Sequence, residues 1–416
     1  MAGDFGSDNT SGIHPNIIQA LSQAASGRSP AYGTDALTRR VEDRLQAVFE
    51  CELTVLLVST GTAANCIGLA TLCSPFGGIY SHSEAHIIND ESTAPELFTG
   101  GARQFSVGGD AAKPCLEQLE GKIAVSGARG VHSVRPSVIA LSNLSELGAR
   151  LCSDEVSAYS ALARANGMKL FMDGARFANA VASGVDSPAA LTWRAGVDAL
   201  SFGATKNGAM AAEALIFFHS EDAPLAEFHR KRSGHLWSKH RYLAAQFDAY
   251  LEDELWLTLA SKSNDKMAQV KDVIDATDFI SVVAGGDANE LFVSMKPEVA
   301  AFLYEKGHTF FPWPSLPNAY RLVTSFTTEQ QEIDALRNDL RGFKGRSAIQ
   351  CAIHCALTTS LSPSKIRPLK VAPCSMGPTP AGVPVIMISP SSSGKNVCSS
   401  SRITAGGYSM CWVPPR

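Results

Sequence analysis

Apolar positions in the first two-thirds of the chain switch between two spacings. After Tyr32-Gly33-Thr34-Asp35, residues Leu37, Val41, Leu45, Val48 and Phe49 recur at the helical period, whereas Thr54–Val58 is an unbroken run with the branching of a buried strand. That run leads into Ser59-Thr60-Gly61-Thr62-Ala63-Ala64-Asn65 and a second apolar helical stretch ending at Leu72. Further strands are predicted at 137–141, 169–172 and 197–202, and a helix over 154–166 from an Asp154 cap to the stop signal Asn166-Gly167. Such alternation predicts an α/β fold with a mainly parallel sheet covered by helices. Beyond about Tyr250 a helical stretch, an apolar run at 289–294, a helix-like 297–307 and a further run at 320–325 predict a small α+β lobe. The expected division is a large domain over 1–248 and a small C-terminal domain over 249–342, with no internal repeat.

The pattern stops near residue 343. Between 343 and 416 there is no Asp or Glu but four Lys and four Arg, so this stretch carries +8 and the preceding body −12 of the net −4. Nine of the 21 prolines and five of the ten cysteines fall there, beside runs such as Ser391-Ser392-Ser393. A segment of this kind buries too little apolar surface to offset its ordering entropy, and the expectation is a mostly disordered basic tail without catalytic role.

Composition narrows the class. With 45% hydrophobic and 18% charged residues the chain reads as an ordinary globular protein, and its slight negative charge gives no reason to expect nucleic acid as a partner. No apolar run suggests a membrane helix, and the first residues lack the basic start and apolar core of a signal peptide, so the expected location is cytoplasmic. Cys51, Cys66, Cys73, Cys115 and Cys152 form no C-x-x-C pair and are expected as free thiols.

Ligands of open parallel sheets gather at the carboxyl ends of strands, and four features fall at such places. The first is Ser59-Thr60-Gly61-Thr62, entering a helix, where free N–H groups suit a phosphate but small residues also serve as plain caps. The second is Asp173, at a strand end, able to hold a pyridinium nitrogen protonated or simply to cap a helix. The third is Lys206 in a Gly/Ala-rich stretch, either a solvated loop lysine or a desolvated amine able to form a Schiff base. The fourth is His86, in His82-x3-His86. On a helix that spacing would put both rings on one face for a metal; with no third ligand at a persuasive spacing, stacking on a cofactor ring is the better reading and no metal is expected. Order and spacing together outline a pyridoxal-5′-phosphate (PLP) site.

At these residues the chain resembles the low-specificity L-threonine aldolases, fold-type-I PLP enzymes. The matching stretches are Phe5-Gly6-Ser7-Asp8-Asn9, Tyr32-Gly33-Thr34-Asp35, Ser59-Thr60-Gly61-Thr62-Ala63-Ala64-Asn65 and Glu84-Ala85-His86-Ile87. They continue with Asp173-Gly174-Ala175-Arg176-Phe177-Ala178-Asn179, Ser201-Phe202-Gly203-Ala204-Thr205-Lys206 and Arg321-Leu322-Val323-Thr324-Ser325, covering about 4–341. The resemblance implies a PLP-dependent transferase-like large domain. Lys206 would attach the cofactor, Asp173 would pair with its ring nitrogen, Arg176 would lie beside the ring, and Gly61, Thr62 and Ser201 would bind its phosphate. His86 would stack on the ring with Glu91 close by, Ser7 and Arg321 would hold the substrate carboxylate with Arg176 sharing in this, and Tyr32 would reach a neighbouring subunit's site. The basic groups at 230–232 and 239–241 would lie near that boundary in a homodimer or homotetramer. One departure stands out: Leu144-Ser145-Glu146 occupies the place of the family's Thr-His-Asn, so a second active-site histidine is absent.

The implied activity is retro-aldol cleavage of threonine, allo-threonine and related β-hydroxy-α-amino acids to glycine and an aldehyde. His86 is the first candidate for the base that takes the β-hydroxyl proton, and Glu91 the second. The rival readings are another fold-type-I PLP lyase or amino-acid racemase, and a non-catalytic aldolase-derived protein with an altered C-terminus.

Overall fold

The computed structural model describes residues 2–343; the tail expected beyond Phe343 lies outside the described residues. Phe343 itself belongs to the body, with its ring 5.1 Å from those of Phe279 and Phe302.

Seven strands among the described residues form one sheet: β1 (Thr54–Val58), β2 (Gly77–His82), β3 (Arg103–Val107), β4 (Arg135–Ser142), β5 (Lys169–Gly174), β6 (Ala199–Gly203) and β7 (Glu213–Phe217). Their order is β1-β7-β6-β5-β4-β2-β3, parallel from β6 to β3, with β7 antiparallel to both of its neighbours. The mainly parallel sheet is therefore present, and its exception has a simple cause. A parallel return needs a crossover of about a dozen residues or more, whereas only 204–212 lie between β6 and β7, so the chain must double back. That short reversal contains Lys206.

Local signals behave as the sequence suggests, with small shifts. Asp35 caps the Ala36–Phe49 helix by accepting from the Thr38 N–H at 3.0 Å, and Val41, Leu45 and Phe49 are buried. The helix expected from an Asp154 cap instead spans Ser153–Ala165. Its N-cap is Cys152, because Glu155 reaches back to the Cys152 N–H at 2.8 Å and Asp154 falls inside the first turn. The five body cysteines are free, with Cys66 and Cys73 buried.

The Gly61–Leu72 helix is buried continuously from Ala63 to Ala70 and lies on the sheet. A Cβ at its Gly68 would come within 2.5 Å of the Phe171 ring and 3.1 Å of Leu215, so glycine sets how closely the helix approaches β5 and β7. That approach fixes the height of the helix N-terminus above the strand ends.

A second sheet, in the order β10-β11-β9-β8, joins β8 (Ile280–Gly285), β9 (Glu290–Met295), β10 (Phe311–Pro312) and β11 (Ala319–Val323), all antiparallel. It shares a core with the helices Leu255–Asp275, Pro297–Glu305 and Gln330–Gly342. The N-terminal segment is tied into this core. Phe5 is fully buried there, its N–H donates to Thr309 and its carbonyl accepts from Val323, both at 2.9 Å. No described helix is long and apolar enough to cross a membrane.

Gly68→Val should force the helix off the sheet and destabilise the protein by about 1–3 kcal/mol, the usual range for overpacking. A lowered thermal midpoint checks this, and an unchanged one would mean that the contact is not limiting.

Candidate functional site

The ends of β1, β4, β5 and β6 open on one cavity of about 280 Å³. Lys206 stands on its wall in a single 3₁₀ turn, Thr205–Asn207. The Asn207 amide anchors that turn by donating to the Tyr250 hydroxyl at 2.7 Å and the Trp256 carbonyl at 2.8 Å, and Gly208 closes it at φ +106°. Burial pushes the pKa of the Lys206 amine down, and the nearby Arg176 guanidinium pushes the same way.

Across the cavity the Gly61–Leu72 helix presents its first turn. Thr60 caps it, its hydroxyl accepting from the Ala63 N–H at 3.1 Å, which leaves the Gly61 and Thr62 N–H groups as donors for an anion. A Cβ at Gly61 would meet nothing within 4 Å, so the space beside that turn is open. Behind it the Ser59 hydroxyl is 3.1 Å from His235 Nδ1.

A hydrogen-bonded row ties the remaining groups together. The Asn65 amide donates to Asp173 Oδ2 at 2.7 Å and to Glu91 Oε1 at 2.8 Å, and the same Glu91 oxygen lies 2.8 Å from His86 Nδ1. Asp173 also accepts from the Ala175 N–H at 2.9 Å. The bond to Glu91 raises the His86 pKa above its ordinary value. With Nδ1 engaged there, Nε2 is the ring nitrogen free to act toward the cavity.

The ligand atoms of His86, Glu91 and Asp173 lie within 4.8 Å of one another, so two acids do approach His86, where the sequence spacing pointed to no further ligand. The Asn65 amide donates to one oxygen of each of these two acids. His82 is not on a helix face with His86: it ends β2, and its ring accepts from the Glu84 N–H at 3.1 Å and lies 3.1 Å from the Gly109 carbonyl.

On the small-sheet side Arg176 forms a two-pronged pair with Asp8, at 2.7 and 3.0 Å, and lies 3.2 Å from Glu290. Burial works to raise the Asp8 pKa, but Arg176, Lys206 and the Asn289 amide reverse it, and the net direction is down. Arg321 stands beyond: Nη1 lies 3.8 Å from Glu290, Nη2 reaches the Gly6 carbonyl at 3.4 Å, and the guanidinium covers the Trp313 ring.

The cavity wall thus brings together Lys206, Asp173, Arg176, His86, Gly61 and Thr62, with Glu91 directly behind His86. Besides Glu91, four expected residues are not on that wall. Ser201 is fully buried beside Asp173 in the sheet; Ser7 caps the short turn that carries Asp8; Arg321 lies behind Glu290; and Tyr32 is half exposed. Sequence reasoning passed over Asn65 and Asp8 as individual site residues, and over Glu146 and Glu213, two acids on the wall. Burial pushes each of these two acids up to about 7. An acid heading the apolar run Ala214-Leu215-Ile216-Phe217 was a legible signal for Glu213; nothing comparable marks Glu146.

A buried amine, an anion cradle at a helix N-terminus and a carboxylate at a strand end fit a flat cofactor bearing an aldehyde, a phosphate and a ring nitrogen. The comparisons agree with this geometry. The model of the beta-eliminating lyase family matches residues 4–310. Two low specificity L-threonine aldolases, from a Pseudomonas species and from Pseudomonas aeruginosa, are 33% and 34% identical over 337 and 345 residues, in each case 81% of this chain and 96% of the relative. A threonine aldolase structure from Leishmania major superposes with a TM-score of 0.77 at 26% identity, covering 82% of this chain and 99% of that one.

Because the His86–Glu91 bond is stronger with the imidazole charged, its contribution to stability is whole below the ordinary histidine pKa. It fades as pH rises through the raised one. In Glu91→Gln the His86 titration, followed by NMR, should move to lower pH, and this pH-linked part of the thermal midpoint should vanish. An unmoved titration would assign the shift to another group.

Proposed function

We infer that this chain, which belongs to the beta-eliminating lyase family, cleaves threonine and related β-hydroxy-α-amino acids into glycine and an aldehyde with PLP as cofactor. The observation that carries the reading is the buried, pKa-lowered Lys206 facing the anion cradle at Gly61 and Thr62, with Asp173 and His86 on the same cavity wall.

When bound, PLP supplies an aldehyde that takes up the substrate amine and a protonated ring that withdraws electrons from the bond being broken. Lys206 would attach the cofactor through that aldehyde, its desolvation favouring the neutral amine that attachment requires. The Gly61 and Thr62 N–H groups hold the phosphate. The Asp173 carboxylate, held by Asn65 and the Ala175 N–H, keeps the ring nitrogen protonated.

His86 would stack on the cofactor and take the β-hydroxyl proton at Nε2, while Glu91 fixes the imidazole through Nδ1 and would steady the charge that develops. Arg176 shares in binding the substrate carboxylate by its positive charge at the cavity wall, its guanidinium remaining paired with Asp8 and Glu290. Arg321 and Ser7 support it from behind, through Glu290 and through the turn bearing Asp8.

We place the large domain at 1–248 and the small one at 249–342, in a cytoplasmic homodimer or homotetramer. Tyr32 supports shared sites: it is half exposed, its N–H is pinned to the Ser238 carbonyl at 3.0 Å, and Lys231 lies 5.2 Å from its ring centre.

The purified protein incubated with L-threonine should release glycine and acetaldehyde. A keto acid and ammonia from serine or threonine, without glycine, would instead identify an eliminating lyase. Lys206→Ala should lose the visible absorption of the lysine-linked cofactor together with turnover. His86→Phe should keep that absorption while kcat falls by about 10²–10⁴-fold. Full turnover in the Lys206 variant would overturn the assignment.

A further inference from the structure

Glu213 is a buried acid that the scheme above leaves without work. It opens β7, paired with Val58 at the end of β1 on one side and with Gly203 of β6 on the other. Val58 directly precedes Ser59, so Glu213 lies where the chain leaves the sheet for the anion cradle. Its side chain rises on the side of the Gly61–Leu72 helix. A Cβ on Gly203 would lie 3.0 Å from Glu213 Oε2, and Leu215, two residues further along the strand, packs under Gly68.

Only 4% of Glu213 is exposed, yet it lines the cavity together with Ser59, Thr60, Gly61, Thr62 and Thr205. Oε1 accepts from the Thr205 hydroxyl at 2.5 Å, and Oε2 has no partner. An ionised carboxylate beside a phosphate dianion repels it, whereas a neutral carboxylic acid has one O–H to donate and at Oε2 nothing else to donate it to.

We propose that Glu213 binds the cofactor phosphate as a neutral acid, donating from Oε2, so that this side chain takes up one proton when the phosphate arrives. The inference rests on the PLP reading. The starting state is already close to this: burial pushes the carboxyl up to about 7 with no phosphate present. The charged groups acting on it are Lys206, from the turn before β7, which lowers it, and Asp173 of β5, which raises it. Val58 and Gly203 bring no charge, the first helical turn from Gly61 to Asn65 carries no titratable side chain, and His235 stands behind Ser59. A phosphate dianion can only push the carboxyl higher. The protein therefore trades phosphate affinity at alkaline pH for a donor that costs no charge.

The test is equilibrium dialysis of the full-chain protein, freed of cofactor, against graded PLP, and separately against pyridoxal, from about pH 6 to 9. Lysine attachment is common to both compounds and cancels in the ratio of their affinities. In the wild-type protein the preference for PLP should fall about tenfold per pH unit above the Glu213 midpoint, the slope for one proton. In Glu213→Gln it should be flat, with PLP held more tightly than by wild type at the alkaline end. Parallel slopes in the two proteins would overturn the proposal. In wild type alone, calorimetry in two buffers of different ionisation enthalpy should find one more proton taken up with PLP than with pyridoxal near pH 8.5 (about 1.5 units above the midpoint). Equal uptake would overturn it without recourse to a variant. Failure of wild type to take up PLP at any pH would overturn the cofactor reading itself.

Discussion

Everything at this site depends on keeping one amine out of water. A lysine on the surface is charged at neutral pH and is no nucleophile; Lys206 is brought toward its neutral form by burial and by the Arg176 guanidinium. Two buried cations side by side would be untenable alone, and Asp8, Asp173 and Glu290 offset them. These three acids come from the N-terminal segment, β5 and β9, so the charge balance around the amine exists only when both sheets and the N-terminus are in place. Removing one partner of such a buried set strands the others without compensation, which costs far more than a surface ion pair.

That dependence gives the N-terminal segment a chemical purpose. Phe5 is locked into the small-sheet core between Thr309 and Val323, and three residues later Asp8 meets Arg176 and the Asn289 amide. The reversal between β6 and β7 does the equivalent on the other side. Its length forbids a crossover, so Lys206 is held in a tight turn braced by Asn207, while Glu213 is returned to the strand end beside the anion cradle.

The sequence carried the fold because the fold is written in periodicity. Thr54–Val58, the helix after Asp35 and the run before Asp173 each announce themselves through spacing and a boundary residue. It carried Lys206, Asp173 and the 59–62 turn because these stand at strand ends. It did not carry β7, whose apolar run is identical in kind to its parallel neighbours and whose direction is set by the length of a connection. Nor did it carry Asn65, which looks like one more residue of an apolar helix and becomes a bridge only when β5 and the Glu91 loop converge on it. In His82-x3-His86 the spacing alone would suit one helix face, but a strand end and a turn separate the two rings.

Asp8, Glu146 and Glu213 show why no such assignment could be made from residue type. Burial pushes all three carboxyls upward, and the outcome turns on what each meets next. Asp8 meets a guanidinium on both oxygens and an amide, and its pKa falls. Glu146 receives the Ser142 hydroxyl at 2.6 Å and the His86 N–H at 3.0 Å, both on one oxygen, and is left near 7. Glu213 receives one hydroxyl and has Lys206 acting on it from the neighbouring turn, and ends at the same value. Partial satisfaction by neutral donors thus leaves an acid able to change state near neutral pH, whereas a bidentate cation removes that freedom. Glu146 braces the backbone of His86 and Glu213 lies where the chain leaves the sheet for the anion cradle, so the two adjustable acids sit beside the proposed base and beside the proposed phosphate site.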